Sequence, residues 1–207
     1  MRKTVVATMA LLALSFASSV HAAPVLIYVG ADVKFAIGAG GADGGGEFLA
    51  SAAPGSTFDD FLTFCLQRDE NINFTDTFHV AGITDAVQEQ NDPLDSRSAW
   101  IYLYYPTAFG GLGLGADDLA NAVQNAIWYI EGEAGSLTTN GQKIYDLANL
   151  NAADWNLNYV KVVNLATVTG APAQDIMTQT PIPEPGTMLL FGSGLVGLAR
   201  MARRRRS

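Results

Sequence analysis

The chain has 207 residues, of which 49% are hydrophobic and 15% charged, and its formal net charge is −8 at neutral pH. That charge is unevenly distributed, because Arg2, Lys3 and five arginines in 200–206 leave 5 basic and 19 acidic residues between positions 23 and 182. A segment with a net charge of −14 repels nucleic acids and other polyanions unless divalent cations intervene. The composition therefore excludes nucleic acid as a partner of this segment.

The N-terminus is typical of a secretory signal peptide. Arg2 and Lys3 precede an apolar run over 5–17, and the compact residues at 20–22 provide a cleavage site before Ala23. The sequence therefore predicts a signal peptide over 1–22 and export of the mature chain. The 160 residues from 23 to 182 have the length of one domain that can bury its own core.

The first half of this segment is predicted to be β structure. Short strands rich in β-branched residues are expected at 24–29 and 33–37, separated from the next strand by a glycine-rich loop over 38–46. A strand over 58–67 contains Cys65 among aromatic residues, and alternating apolar positions over 72–80 predict a half-buried strand. The acidic stretch over 85–95 is expected to be a loop, without the ligand spacing of a calcium site.

The second half is predicted to contain helices. The segment 96–105 is ambiguous, because its residues favour a strand while Asp95 or Ser96 can cap a helix. After a glycine-rich turn over 110–115, Asp117 and Asp118 stand where a helix dipole favours acidic residues. An apolar stripe at helical spacing follows and ends near Gly132; its members are Leu119, Ala122, Val123, Ala126, Ile127 and Ile130.

A second helix over 142–150, a strand over 157–163 and a linker complete the prediction. We therefore expect an α+β, β-rich ectodomain over 23–170, with a sandwich or barrel-like sheet and two or three short helices. The linker is expected over 171–182.

Conventional catalytic and metal-binding patterns are missing from the sequence. The mature segment contains one histidine, His79, within an apolar alternation, and its carboxylates are scattered among predicted loops. No metal-ligand cluster or nucleophile elbow is found. We therefore expect no enzymatic turnover, no cofactor and no metal site.

Cys65 is the single cysteine of the chain, so it cannot form an internal disulfide. It is a buried apolar residue, an intermolecular thiol, or a residue whose sulfur is covalently bonded in another way.

The last 25 or so residues combine three features in a fixed order. Pro183, Glu184 and Pro185 predict an extended segment, an apolar run over 187–199 can enter a bilayer, and an arginine cluster follows. This order resembles the PEP-CTERM sorting signal of Gram-negative bacteria, here over 183–207. An ordinary C-terminal membrane anchor is the alternative, although an anchor does not require Pro-Glu-Pro and is usually longer.

The PEP-CTERM resemblance implies a route through the cell envelope. It implies a C-terminal transmembrane helix, an intermediate anchored in the inner membrane and recognition by an exosortase, a sorting enzyme of the membrane. It also implies delivery to the cell surface or to the extracellular exopolysaccharide matrix.

Two short motifs inside the ectodomain carry a second resemblance. Phe64-Cys65-Leu66-Gln67 and Val123-Gln124-Asn125-Ala126-Ile127-Trp128 resemble the paired signatures of the thioester domain in bacterial surface adhesins. The second motif matches at every defined position. The first has Gln67 where the family has an acidic residue. A likeness at 99–102 to a helix of related exported proteins favours helix for the ambiguous segment.

The thioester resemblance implies a specific bond. In that family the cysteine and glutamine side chains condense to an internal thioester, which here would join Cys65 to Gln124, with Phe64 and Trp128 shielding it from water. The bond would then attach the chain to an amine-bearing surface protein or to exopolysaccharide. Taken singly, these residues also suit a buried cysteine, a solvated glutamine and a core tryptophan. The alternative function is therefore a non-reactive structural or matrix-associated protein.

Overall fold

The computed structural model describes residues 25–40, 45–88, 92–152 and 157–180. The predicted signal peptide over 1–22 and the sorting signal over 183–207 lie outside these ranges. Within the described ranges, no helix is both long enough and apolar enough to cross a membrane. The apolar run over 187–199, predicted to be the transmembrane helix, is not among the described residues.

Six antiparallel strands form the main sheet, in the order β3-β2-β1-β4-β7-β8. Their bounds are β1 Asp32–Ile37, β2 Phe48–Ala52, β3 Phe61–Thr63, β4 Phe78–Thr84, β7 Val160–Thr167 and β8 Pro172–Gln179. A separate small hairpin consists of β5 Ala86–Val87 and β6 Asp92–Pro93. The α+β class predicted from the sequence is confirmed.

The two edges of the main sheet meet. Just beyond β3, Cys65 forms an antiparallel bridge with Ile176 of β8, and the Leu66 amide donates to the carbonyl of Asp175. The Thr63 hydroxyl donates to the carbonyl of Met177 at 2.7 Å and accepts from its amide at 3.2 Å. The sheet therefore curls until its two edges meet, and Cys65 lies on the seam.

Three α-helices pack beside this sheet within the described ranges. They are α1 Ser96–Tyr104, α2 Ala116–Ile130 and α3 Thr139–Asn151. Asp95 caps α1 by accepting from the Arg97 amide, and Thr138 caps α3 by accepting from the Gly141 amide. The segment 96–105 is thus a helix over most of its length, as the thioester resemblance favoured.

The core has two parts because successive strand residues point to opposite faces. One cluster lies inside the curled sheet and includes Val33, Cys65 and Ile176. The other lies between the sheet and the helices and includes Phe64 and Ile127. Residues 64 and 65 therefore face different parts of the core.

Four predicted strands are wrong in whole or in part. The strand predicted over 58–67 is confined to Phe61–Thr63, and the strand predicted over 157–163 begins with a 3-10 helix, Leu157–Tyr159. Residues 25–29 form no strand; the Val25 amide donates to an Asp59 carboxylate, and Gly30 turns the chain at φ 92°. The alternation over 72–80 becomes a strand only from Phe78, because the Asn73 side chain accepts from the Thr75 amide and forms a turn.

The linker predicted over 171–182 is also wrong for most of its length. Residues Pro172–Gln179 are β8, and Asp175, Ile176 and Met177 are fully buried within it. The polar residues of this segment are typical of a solvent-exposed linker. In the structure, however, the buried Asp175 carboxylate accepts hydrogen bonds from the amides of Gln88 and Leu165 and from the Asn164 side chain. A buried carboxylate satisfied in this way is compatible with a strand.

The end of α2 holds a half-buried acid, Glu131. Its Oε1 accepts from the Asp95 amide at 3.3 Å and so joins the end of α2 to the start of α1. Burial raises the pKa of the Glu131 carboxyl to about 7, and the nearby carboxylates of Asp95 and Asp92 add to this rise, whereas hydrogen bonds oppose it. The ionised form is therefore disfavoured in the folded state.

We expect the free energy of unfolding to fall as the pH rises from about 4.5 to above 7, because the folded state retains the Glu131 proton more tightly than the unfolded state. The contribution of Glu131 to the free energy of unfolding is fully present at a pH below the pKa of this carboxyl in the unfolded state, and it is lost at a pH above its pKa in the folded state. Glu131→Gln should remove this dependence and stabilise the domain at pH 8 by about 1–3 kcal/mol. Urea unfolding at several pH values measures it. The control is Glu133→Gln; an equal effect of that change would contradict the assignment to Glu131.

Candidate functional site

Cys65 lies on the seam of the sheet, and its backbone has a defined orientation. Because the Leu66 amide points to β8, the amide and carbonyl of Cys65 point away from β8, as alternate residues do in an antiparallel pair. The Cys65 residue is only 5% exposed, and burial raises the pKa of its thiol well above the usual range. The thiol is therefore protonated at neutral pH.

The side chain of Gln124 occupies the place where a neighbouring strand would bind Cys65. Gln124 Oε1 accepts from the Cys65 amide at 3.0 Å, and Gln124 Nε2 donates to the Cys65 carbonyl at 2.8 Å. Gln124 is fully buried on α2, 59 positions away in the sequence. The structure thus brings together the two residues of the predicted pair, through the carboxamide of one and the backbone of the other.

This arrangement has a chemical consequence for the Gln124 carboxamide. Its carbon is bonded to both atoms that contact Cys65, so it lies against the residue that carries the thiol. The Cys65 amide points at the oxygen that becomes negative when a nucleophile adds to this carbon. The geometry suits intramolecular acyl transfer, in which positioning replaces an external catalyst.

The two predicted shielding residues have different positions. Trp128 lies one helical turn after Gln124, packs against the cluster that contains Cys65 and lines the same pocket as Cys65. Phe64 instead belongs to the other cluster, where its ring meets that of Tyr105 edge to face at a centroid distance of 5.0 Å. Phe64 is therefore on the wrong face of the strand to shield the Cys65 side chain, whereas Trp128 is on the right one.

A pocket of about 790 Å³ opens beside Cys65. Its wall combines Trp128 with the charged side chains of Arg68 and Glu70. The remaining lining residues are Gly40, Gly45, Phe48, Asn71, Ile72, Phe74, Asn121, Asn125, Ala134, Gly135, Ser136 and Thr138. Among the residues that the structure describes, no group of three or more potential metal ligands is found. The pocket is thus a candidate binding site for an organic group next to the Cys65–Gln124 pair.

Asn125 fixes the far wall of this pocket. Its Nδ2 donates to the Ser136 carbonyl at 3.3 Å, and its Oδ1 accepts from the Thr138 amide at 2.8 Å. These bonds hold the α2–α3 connection against α2. The residue after Gln124 therefore shapes the pocket, although the thioester motif leaves its identity open.

Glycines that the sequence placed in an ordinary loop contribute to the site. Gly45 has φ 84°, and a Cβ there would collide with Cγ of Gln124 and lie 2.7 Å from Cη2 of Trp128. Gly40 has φ 91°, and its amide donates to Asp117 at 3.0 Å. The signal available in the sequence was the density of glycines, which indicates unusual backbone angles but not the surface that they approach.

Gln67, the residue that departs from the family motif, is buried and fully engaged. Its Oε1 accepts from the Asp175 amide at 2.8 Å, and its Nε2 donates to Glu70 at 3.4 Å. Gln67 therefore joins the seam of the sheet to the acidic residue of the pocket. An acid at position 67 could accept from Asp175 but, when ionised, could not donate to Glu70.

The comparisons with known proteins give a match, and it lies at the C-terminus of the chain. Residues 181–206 match the PEP-CTERM protein-sorting motif, which confirms the predicted sorting signal at the C-terminus. The motif implies an exported protein that is processed by an exosortase and sorted to the cell surface. No curated protein and no solved structure gives a significant match. The comparisons provide no support for the thioester-domain resemblance, which therefore depends on the motifs and on the contact between Cys65 and Gln124.

The close approach of Gly45 to Gln124 yields a test. Gly45→Ala should displace Gln124, break its bonds to Cys65 and lower the free energy of unfolding by about 1–3 kcal/mol more than a strained glycine elsewhere. The matched control is Gly55→Ala, since Gly55 also has a positive φ of 98° but has open space at its Cβ. Urea unfolding gives the stability, and iodoacetamide labelling of the folded domain gives Cys65 accessibility. Equal stability losses with Cys65 protected in both variants would contradict the proposed contact.

Proposed function

We propose that the chain is an exported protein of the cell surface or extracellular matrix whose ectodomain forms one internal thioester, between Cys65 Sγ and the side-chain carbonyl carbon of Gln124. The observation that carries this proposal is the reciprocal pair of hydrogen bonds, 3.0 and 2.8 Å long, between the Gln124 carboxamide and the Cys65 backbone. These bonds confine the carboxamide carbon of Gln124 against the single cysteine of the chain.

Formation of the bond requires no cofactor. The Cys65 sulfur adds to the carboxamide carbon of Gln124, the C–N bond breaks, and the thiol proton leaves with the nitrogen as ammonia. During addition, the Cys65 amide stabilises the negative charge on Gln124 Oε1. Because the thiol is protonated at neutral pH, proton transfer to the departing nitrogen accompanies the attack. Trp128 limits the access of water to the product.

The thioester would then react once with an external amine. The amine nitrogen adds to the Gln124 carbonyl carbon, the C–S bond breaks, and the Cys65 sulfur takes a proton from the nitrogen. The product is an amide between Gln124 and an amine-bearing partner, such as a lysine of a surface protein or an amino sugar of an exopolysaccharide. Since the ectodomain is consumed, the process is covalent attachment and not enzymatic turnover.

The charge distribution supports a surface role. The sorting segment contains five of the twelve basic residues, so its removal leaves an ectodomain with a strongly acidic surface. We propose that the chain is first held in the inner membrane by its C-terminal segment and is released or transferred by the exosortase. The acidic ectodomain then remains soluble outside the cell until it meets a partner.

A non-reactive structural function is the second candidate, and one observation favours it. Both polar atoms of the Gln124 side chain already have hydrogen-bond partners. Completing the hydrogen bonds of the Cys65 backbone is therefore sufficient to explain why a glutamine stands at this position. In that case the ectodomain would act through its acidic surface and not through a covalent bond.

Mass spectrometry of the intact mature ectodomain distinguishes the two candidates. If the thioester forms, the mass should be lower than the sequence mass by one ammonia molecule, and methylamine should convert the domain to a methylamide with a free Cys65 thiol. Cys65→Ala and Gln124→Ala should each abolish the deficit. The control is Gln142→Ala, because Gln142 lies on α3 and its side chain donates to Asp146 on the surface. A full sequence mass with alkylatable Cys65 in the unfolded wild type would exclude the thioester.

Processing at the sorting motif can be tested in cells. Expression with an active exosortase should yield an ectodomain that lacks the arginines at 203–206, because cleavage near Pro-Glu-Pro removes them. Without exosortase, or when Pro183, Glu184 and Pro185 are all changed to alanine, the full C-terminus should stay with the membrane fraction. The C-terminal peptide is measured by mass spectrometry. Retention of these arginines in cells with active exosortase would contradict processing at this motif.

A further inference from the structure

The pocket beside Cys65 contains one carboxylate among its described lining residues, that of Glu70. Glu70 is half-buried, and its Oε1 accepts a hydrogen bond from Gln67 Nε2 at 3.4 Å. Gln67 is itself 5% exposed and held to β8 through the Asp175 amide. A buried residue next to the seam therefore holds this carboxylate in the wall of the pocket that Cys65 also lines.

The surroundings of Glu70 favour a cationic group with an apolar stem. Phe48, Ile72 and Trp128 provide apolar wall surface, and Trp128 Nε1 is buried without a hydrogen-bond partner among the described residues. An alkyl chain can pack against such a wall while its charged end meets a carboxylate. A half-buried carboxylate also attracts a cation more strongly than an exposed one, because water screens it less.

We propose that Glu70 binds the ammonium group of the incoming amine and delivers it to the Cys65–Gln124 thioester, so that the pocket selects primary alkylamines such as a lysine side chain. This inference rests on the proposed function. The ammonium group transfers one proton to the Glu70 carboxylate, which passes it to water, and the neutral nitrogen then attacks the Gln124 carbonyl carbon. The C–S bond breaks and the Cys65 sulfur takes a second proton from that nitrogen.

The charged residues next to Glu70 in the sequence do not provide a second carboxylate that could bind the ammonium group in the pocket. Asp69 is exposed and is not part of the pocket wall. Arg68 lines the pocket but is exposed, and its backbone amide donates to Glu133 at 3.3 Å. Arg68 is therefore at the entrance, where its guanidinium group favours partners that also carry a negative group near the amine.

The first test compares two nucleophiles on the thioester-containing domain near neutral pH. n-Butylamine is mainly cationic there, whereas hydroxylamine is mainly neutral, so only the first uses a carboxylate for binding. Glu70→Gln should slow the reaction of n-butylamine with the thioester by about tenfold, because the charge-assisted contact between its ammonium group and Glu70 is lost. The rate of the reaction with hydroxylamine should stay within about twofold. Asp69→Asn, the matched control, should change neither rate. No slowing, or equal slowing of both nucleophiles, would overturn the role of Glu70.

The second test does not require the thioester. In the Cys65→Ala domain, n-butylamine should cause a saturable shift of the Trp128 indole N–H signal in nuclear magnetic resonance, with that signal assigned by Trp128→Phe. Addition of Glu70→Gln should abolish the shift, whereas Asp69→Asn should retain it. Lack of a saturable shift in Cys65→Ala would overturn the ammonium site. A wild-type domain without the ammonia deficit would overturn the thioester, while this titration would still decide whether Glu70 binds ammonium.

Discussion

The pairing of the Gln124 carboxamide with the Cys65 backbone connects the helices to the seam of the sheet. Without it, the amide and carbonyl of Cys65 would be buried without partners, and each such group costs about 1–3 kcal/mol. A glutamine side chain solves this because it offers a donor and an acceptor at the spacing of a peptide group. The position of α2, and with it the placement of Trp128 and the wall of the pocket, follows from this contact.

The same contact is compatible with a structural function and with the proposed reactive one. The hydrogen bonds that satisfy the Cys65 backbone also hold the Gln124 carboxamide carbon against the residue that carries the thiol, and they point an amide at the carboxamide oxygen. Burial strengthens these hydrogen bonds, and it would also exclude water from the proposed thioester. Gln67 also has two contacts, because it binds β8 through the Asp175 amide and donates a hydrogen bond to Glu70 in the pocket wall.

Local patterns predicted the elements whose stabilising contacts are close in sequence. Helix α2 was predicted because its apolar stripe repeats at helical spacing, and α1 because Asp95 can cap it, with the family likeness deciding between helix and strand. Strand β8 was missed because Gln174 and Asp175 are buried by partners far away, including Gln67, 108 positions earlier. The alternation at 72–77 failed for the opposite reason, since a local turn at Asn73 prevails over the apolar pattern.

The sequence by itself determined the sorting motif at the C-terminus, the acidic character of the part that precedes it, and the candidate pair Cys65 and Gln124. Signals of this kind are read from linear order, composition and motif, so they need no knowledge of the fold. Only the tertiary structure decided that the edges of the sheet meet at Cys65, that Phe64 and Cys65 face different parts of the core, and that a glycine loop and Glu70 border the site. These facts depend on contacts between residues distant in sequence, and chain closure brings such residues together in a way that no local periodicity records.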